Sequence, residues 1–531
     1  MKKNSFKIFI LTGLLAVSAV SCKKDLDLLP TNDITAATVY SNPIGYKQAL
    51  AKVYGSYALT GNKGPAGDDA TKDIKGIDEG TSDFFRLYWT AQELPTDEAV
   101  IGWGDAGLPD FHNLSWSSGN AFLKGLYYRS LYQITLCNDF IRQSSDENLS
   151  SRGITGNDAT DVRAYRAEAR FLRAYQYWVL MDLFANPPFV TENDALGAAL
   201  PKQINRKDLF AYVESELKAI DAGLVDARKN EYGRADKAAA YALLARMYLN
   251  ANVYTGTARY NDAATYAKRV IDAGYSLVGN YRNLMTADNN VNINEFILTI
   301  NYDGINTQGY GGTTFLLHAS IGGSEPAASR GADGGWAGIR TTKNLVALFP
   351  DVNGTADKRA QFYTPGQSLE INNISNFNDG YAITKYRNLK ANGSQAAGGL
   401  TFADIDMPIF RLGEMYLIYA EAVLRGATTG DLATAVGYVN LLRARAYGNA
   451  SGNVTTINLD FILDERAREL YWEGFRRTDL IRYDRLVTGT YLWPWKGGVQ
   501  NGRASDANHN IYPLPVADVT SNSNLTQNPG Y

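Results

Sequence analysis

The sequence predicts a mainly α protein in which paired helices support an irregular, loop-rich face with a few short strands. Three observations carry this. Apolar residues recur at helical spacing in five places along the chain. Those places group into helix-turn-helix units of about 35 to 40 residues, a repeat-like length. Two long stretches, about 61–119 and about 275–400, have no helical period and are rich in glycine and aromatic residues.

The chain opens on Lys2, Lys3 and Lys7, followed by a mostly apolar run of 13 residues from Ile8 to Val20. That run is shorter than the ~20 residues of a membrane span but suits the apolar part of a secretory signal. Small residues then lead to Cys22 in the string AVSC, which resembles a bacterial lipobox. Residues 1–21 are therefore expected to be a lipoprotein signal peptide. Cys22 becomes the acylated first residue of a mature chain, 22–531, that is tethered to a membrane by its lipid. Of the two cysteines, only Cys137 then remains a thiol, so no internal disulfide is expected. It lies in the apolar run of a predicted helix and reads as a small buried hydrophobe.

The first helical stretch runs from Ile44 to Ala58 and the second from Asn120 to Gln143. In the third, Val162 to Phe184, the residues Ala164, Ala167, Phe171, Tyr175 and Trp178 fall at three- and four-residue steps, and Asn186-Pro187-Pro188 ends it. The fourth is a pair, Ala235 to Asn250 and Tyr260 to Asp272, with Gly274 placed as a C-terminal stop. The fifth is Phe410 to Arg425 and Leu432 to Ala446, followed by Phe461 to Glu473. The spacing is close to the tetratricopeptide period of ~34 residues, and a stack of helix pairs is the simplest way to bury one-sided stripes. Residues 22–531 read as a single domain. The short apolar runs Glu295 to Ile300 and Thr313 to Leu317 read as small strands.

Composition narrows the function. With 52 Lys and Arg against 55 Asp and Glu, the net charge is −3. That leaves no basic excess for a phosphate backbone, so nucleic acid is excluded as a partner. His112, His318 and His509 are the only histidines, too few for a histidine-rich metal site. Gly102 to Gly107 fits G-x-G-x-x-G, but Pro109 follows where a phosphate-binding helix would start, so it is rejected as a phosphate loop. Asp97-Glu98 and Asp404/Asp406 remain candidate carboxylate pairs for glycoside hydrolysis. Asp288-Asn289-Asn290 could offer oxygens to a structural Ca²⁺ but lacks EF-hand spacing; no cofactor is otherwise expected.

The long segments hold Trp89, Trp103, Trp116, Tyr302, Tyr310 and Trp336. A pyranose ring has apolar C–H faces and hydroxyl edges, so a flat indole or phenol covers the first and Asn, Asp or Arg bonds the second. For any one Trp the core is the ordinary place. Trp103 stands out because Gly102 and Gly104 flank it, and Trp336 because Gly334-Gly335 precede it and Ala337-Gly338 follow.

The string DERARELYWEGFRRTDLIRYDRL, Asp464 to Leu486, and the ending IYPLPVADVTSNSNLTQNPGY resemble the SusD/RagB family of nutrient-binding outer-membrane lipoproteins. The likeness extends over the whole mature chain. QELPTDEAVIGWGDAGLP, YGGTTFLLHASIGGS and GGWAGIRTT are similar to the starch-binding member in particular. The resemblance implies about four tetratricopeptide units and a surface-exposed lipoprotein of the outer membrane. It implies capture of glycans, α-glucan oligosaccharides foremost, and delivery to a SusC-like TonB-dependent transporter, without catalysis. It implies that Trp103, Tyr310 and Trp336 form an aromatic arc and that Arg86 bonds sugar hydroxyls. Ala106 stands where an amide is expected, and neighbouring Asp105 is the polar group left to replace it. Glu465, Arg466, Glu469, Glu473, Arg476 and Asp479 read as a buried ion-pair network rather than as ligands. Two other functions compete with glycan capture: a glycoside hydrolase with an aromatic-lined cleft, and a tetratricopeptide-type scaffold for protein partners.

Overall fold

The computed structural model describes residues 36–61, 72–194, 197 and 199–531. The signal peptide and the lipidation site at Cys22 lie outside the described residues. The described helices of seven residues or more are α1 (Pro43–Gly55), α2 (Phe84–Glu93), α3 (Ala121–Gln143), α4 (Gly156–Phe184), α5 (Arg206–Ala219), α6 (Lys237–Leu249), α7 (Tyr260–Ile271), α8 (Gly312–Ala319), α9 (Leu412–Leu424), α10 (Leu432–Tyr447), α11 (Leu459–Leu470) and α12 (Arg476–Arg482). Their starts are written locally. Asn42, Asn120, Asn205, Asp236, Asp431 and Asn458 each accept a backbone N–H of the first turn that follows, satisfying a donor the helix leaves free.

The helices pack as pairs: α3 on α4, α6 on α7, and α9 on α10, with α7 stacked on α9. The long α4 also receives α1 and α5. The mainly helical, tetratricopeptide-like architecture is as expected. One large apolar core runs through these pairs and reaches from Tyr40 to Leu514, with a smaller cluster around Leu463, Leu480 and Trp493 under the C-terminal loops. Cys137 lies in the main core, where burial pushes its thiol up to about 12.

Two departures from the sequence reading share one cause. The run Thr313 to Leu317, expected as a strand, is the body of α8, all eight of whose residues are buried. Helix α2 sits inside a segment that has no visible period, with nine of its residues buried. Buried on all sides, such short runs show no amphipathic stripe to read. The stretch beginning at Phe410 opens as a strand, Met407–Arg411, before α9 starts; it pairs antiparallel with Phe296–Ile300, the strand expected from Glu295 to Ile300. Helix α5 was not anticipated.

The C-terminal signature folds into the ion-pair network foreseen for it. Glu469 takes Arg411 at 2.7 Å and Arg359 at 3.2 Å, and pairs with Arg445. Glu465 takes Arg359 at 2.8 Å, Glu473 takes Arg411 at 2.7 Å, Arg466 takes Asp479 at 2.7 Å, and Arg476 takes Asp97 at 2.7 Å. Burial alone would push the Glu469 carboxyl up, but Arg445, Arg411 and Arg359 outweigh it and hold it at about 2. These groups tie α11 and the turn after it to the loops at 357–359 and to the 407–411 strand, so the irregular face is clamped onto the helical frame.

The clamp matters because a two-stranded ladder joins the two aperiodic segments. Val100–Ile101 pairs antiparallel with Ile339–Arg340, matching Val100 to Arg340 and Ile101 to Ile339.

Candidate functional site

That ladder sets the site. The backbone N–H of Gly102 continues it by donating to Gly338 O at 2.8 Å, which brings the residue after Gly102 beside the residues before Ile339. The 336–338 stretch hangs on the end of α8: Trp336 N donates to His318 O, Ala337 N to Ile321 O and Gly338 N to Ala319 O. Trp103 and Trp336 are thereby placed side by side, with ring centroids 6.4 Å apart at 42°. Trp103 Nε1 donates to Trp336 O at 3.2 Å. Tyr310, just before α8, stands on the other flank of Trp336, centroids 6.2 Å apart at 58°.

A second layer fixes the three rings. Trp336 stacks on His318 at 4.9 Å, and the imidazole is held between the carbonyls of Gly334 and Thr401. Trp103 meets the edge of Phe315, and Tyr310 packs on Phe402. Gly338 makes the room: a Cβ there would stand 2.5 Å from the Trp103 ring. Gly104, by contrast, faces open space. All three rings are half-buried, whereas Trp89, Trp116 and Tyr302 of the same segments are core residues.

Arg86 rises from the first turn of α2, where Asp83 accepts its backbone N–H at 2.8 Å. Its guanidinium lies 4.5 Å over Phe315, and Nη1 donates to Tyr310 O at 3.0 Å. Burial lowers its pKa to about 10, opposed by Asp78, Asp83 and Asp105, so it stays a cation at neutral pH. Asp105 and Ala106 are exposed on the loop beyond Trp103. The structure thus brings Trp103, Trp336, Tyr310 and Arg86 together around Phe315, with Asp105 at the rim. Phe315, Phe402 and His318 are not singled out as site residues by the sequence; Phe315 and His318 stand within the string YGGTTFLLHASIGGS, whereas no local signal marks Phe402.

The candidate carboxylate pairs are committed elsewhere. Asp97 receives both Arg476 nitrogens at 2.7 Å and Tyr491 Oη at 2.5 Å. Glu98 is buried beside Glu93, and both carboxyls are pushed up by burial. Asp404 accepts from Gly304 N and Gly398 N, and Asp406 from Tyr302 N and Tyr232 Oη. Asp288 accepts from Thr286 Oγ1 and Ala391 N. Among the described residues no group of three or more His, Cys, Asp or Glu converges as a metal site.

Comparison with known proteins places the chain in a family. The SusD family model matches residues 357–531, and a model described as starch-binding associating with outer membrane matches residues 115–249. Starch-binding protein SusD of Bacteroides thetaiotaomicron is 35% identical, with all of both chains covered. The chain belongs to the SusD family. Among solved structures, surface glycan-binding protein A from Bacteroides thetaiotaomicron in complex with laminarihexaose superposes with a TM-score of 0.68, at 21% identity over 91% of this chain and 98% of that one. A SusD homolog from the same organism gives a TM-score of 0.71 at 19% identity, covering 94% and 99%. Both likenesses speak to the fold. The family's C-terminal match covers α11, α12 and the ion pairs around them, while both arc tryptophans lie ahead of it.

Proposed function

We propose that the protein is a glycan-binding lipoprotein of the outer-membrane surface. In this reading it captures α-glucan oligosaccharides on the arc of Trp103, Trp336 and Tyr310 and passes them, uncut, to a SusC-like TonB-dependent transporter. The observation that carries the reading is the row of three half-buried rings, prearranged by backbone hydrogen bonds and edged by a cation. Stacking supplies apolar contact to sugar faces, and Arg86 and Asp105 supply hydrogen bonds to sugar edges. Such binding needs no cofactor. Prearrangement lowers the ordering cost of binding. The relative named for starch is the more similar in sequence, which favours an α-glucan over the laminarihexaose held by the structural neighbour.

The commitment of Asp97, Glu98, Asp404 and Asp406 to the fold supports binding without hydrolysis. A family match described by association with the outer membrane, together with the lipobox at Cys22, supports a lipid-tethered location. No described helix is long and apolar enough to cross a membrane. A tethered binder cannot carry its ligand across by itself, which is the physical case for a transporter partner. Incubating purified residues 23–531 with maltooligosaccharides should leave their length distribution unchanged. Shortening that disappears on mutating one Asp or Glu would establish a hydrolase instead.

A further inference from the structure

Of the eight tryptophans, five are buried and three are half-buried: Trp103, Trp336 and Trp495. The first two make the arc and pack against the main core. Trp495 packs against neither core cluster among the described residues. Its backbone has φ +69° and ψ 4°, the left-handed region that a bulky side chain rarely enters. Such strain persists where the surroundings over-determine it, and it concentrates at binding sites.

The surroundings here do so. Trp495 Nε1 donates to Ile371 O at 2.9 Å, and Gly498 N donates to Trp495 O at 3.0 Å. The next residue, Lys496, is buried and donates to Thr488 O at 2.6 Å and Tyr491 O at 2.8 Å. Gln500 Nε2 donates to Asn372 Oδ1 at 2.9 Å. The indole is therefore held at its edge and belongs to neither core cluster.

The loop that receives it is the loop that borders the arc. Arg340, fully buried, donates to Ile374 O at 2.6 Å and Asn376 O at 3.0 Å, and to Gly338 O at 3.2 Å. A Cβ on Gly102 would stand 3.0 Å from Ile374 O. Ile371 and Ile374 are three residues apart, so the Trp495 indole lies within roughly 20 Å of Gly102. Between them Asn372, Asn373, Ser375 and Asn376 are exposed. An indole beside exposed amides has the same make-up as a sugar-stacking site.

We propose that Trp495 is a second stacking platform for the same glycan, a subsite that only chains long enough to extend past the arc can reach. This rests on the glycan-binding reading of the arc. A chain engaging both plates gains affinity because the second contact is made within one molecule.

Calorimetry with maltotriose and with a long maltodextrin tests it, on the wild type, Trp103→Ala, Trp495→Gly and Trp495→Phe. Glycine removes the ring and suits the left-handed backbone, so the fold is kept. Trp495→Gly should leave maltotriose binding unchanged and weaken the long chain roughly tenfold, the scale of one aromatic contact. Trp495→Phe should fall between, and Trp103→Ala should weaken both ligands. Long-chain binding untouched by Trp495→Gly, with Trp103→Ala impaired, would overturn the subsite and leave the arc standing. Equal loss for short and long chains would show that Trp495 acts through the fold, overturning it too. No binding by the wild type would remove the arc and the subsite together.

Discussion

Trp103 and Trp336 are 233 positions apart in the sequence, yet the indole N–H of the first is bonded to the backbone carbonyl of the second at 3.2 Å. The bond leaves from the edge of the Trp103 ring, so it ties that ring to the backbone of Trp336 without covering the ring's faces. An indole that belonged to the core would lose its faces to packing, as Trp178 does in α4, where it is 1% exposed and overlain by Arg246.

Stability should therefore separate the two kinds of tryptophan. Trp178→Ala should cost about 3–5 kcal/mol, the loss typical of a large buried ring. Trp103→Ala and Trp336→Ala should each cost well under half of that in urea unfolding of residues 23–531. Equal losses at all three positions would show that the arc rings are core.

The ion-pair network predicts an acid-sensitive clamp. The folded pKa of Glu469, about 2, lies below the ~4.3 of an unfolded glutamate. A depressed carboxylate contributes stability that is present above pH ~4.3 and lost as pH falls through about 2. Glu469→Gln should cost about 3–5 kcal/mol at pH 7, because Arg411, Arg445 and Arg359 lose a buried counter-charge. The gap to wild type should shrink as pH falls towards 2. A gap of constant size from pH 7 to pH 2 would rule out the charge as its cause.

Much of this frame was legible in the sequence, and the exceptions have a physical reason. Asn120 as a cap and Asn186-Pro187-Pro188 as a stop are local signals, and α3 and α4 begin and end near them. Helices α2 and α8 carried no stripe because no face of either is left to solvent. The arc tryptophans were found by their glycine neighbours, but the glycine that admits Trp103 is Gly338, from the partner strand of the ladder. Only tertiary pairing reveals that, and only burial separates Trp103 from Trp89. Likewise the acidic half of the ion network stands in one string, whereas Arg359, Arg411 and Arg445 come from three separate segments.

Ala106 offers a gain of function. It is exposed on the loop beyond Trp103, at the position where the family resemblance leads one to expect an amide. Ala106→Asn should strengthen glucan binding several-fold, about 1 kcal/mol for one added hydrogen bond, without moving the melting temperature. Unchanged affinity in calorimetry would place the sugar elsewhere.

Anchoring is tested at Cys22. Cys22→Ala should move the full-length protein from membrane to soluble fractions and abolish labelling by a fatty-acid probe. A variant that stays in the membrane fraction would disprove lipid tethering.

The most direct measurement is calorimetry of residues 23–531 with maltoheptaose, on the wild type and on Trp103→Ala and Trp336→Ala. The account predicts saturable binding by the wild type and a loss of about tenfold or more in each variant, the worth of one stacking face. Binding of undiminished affinity in both variants, or no binding of any glucan by a folded wild type, would contradict it.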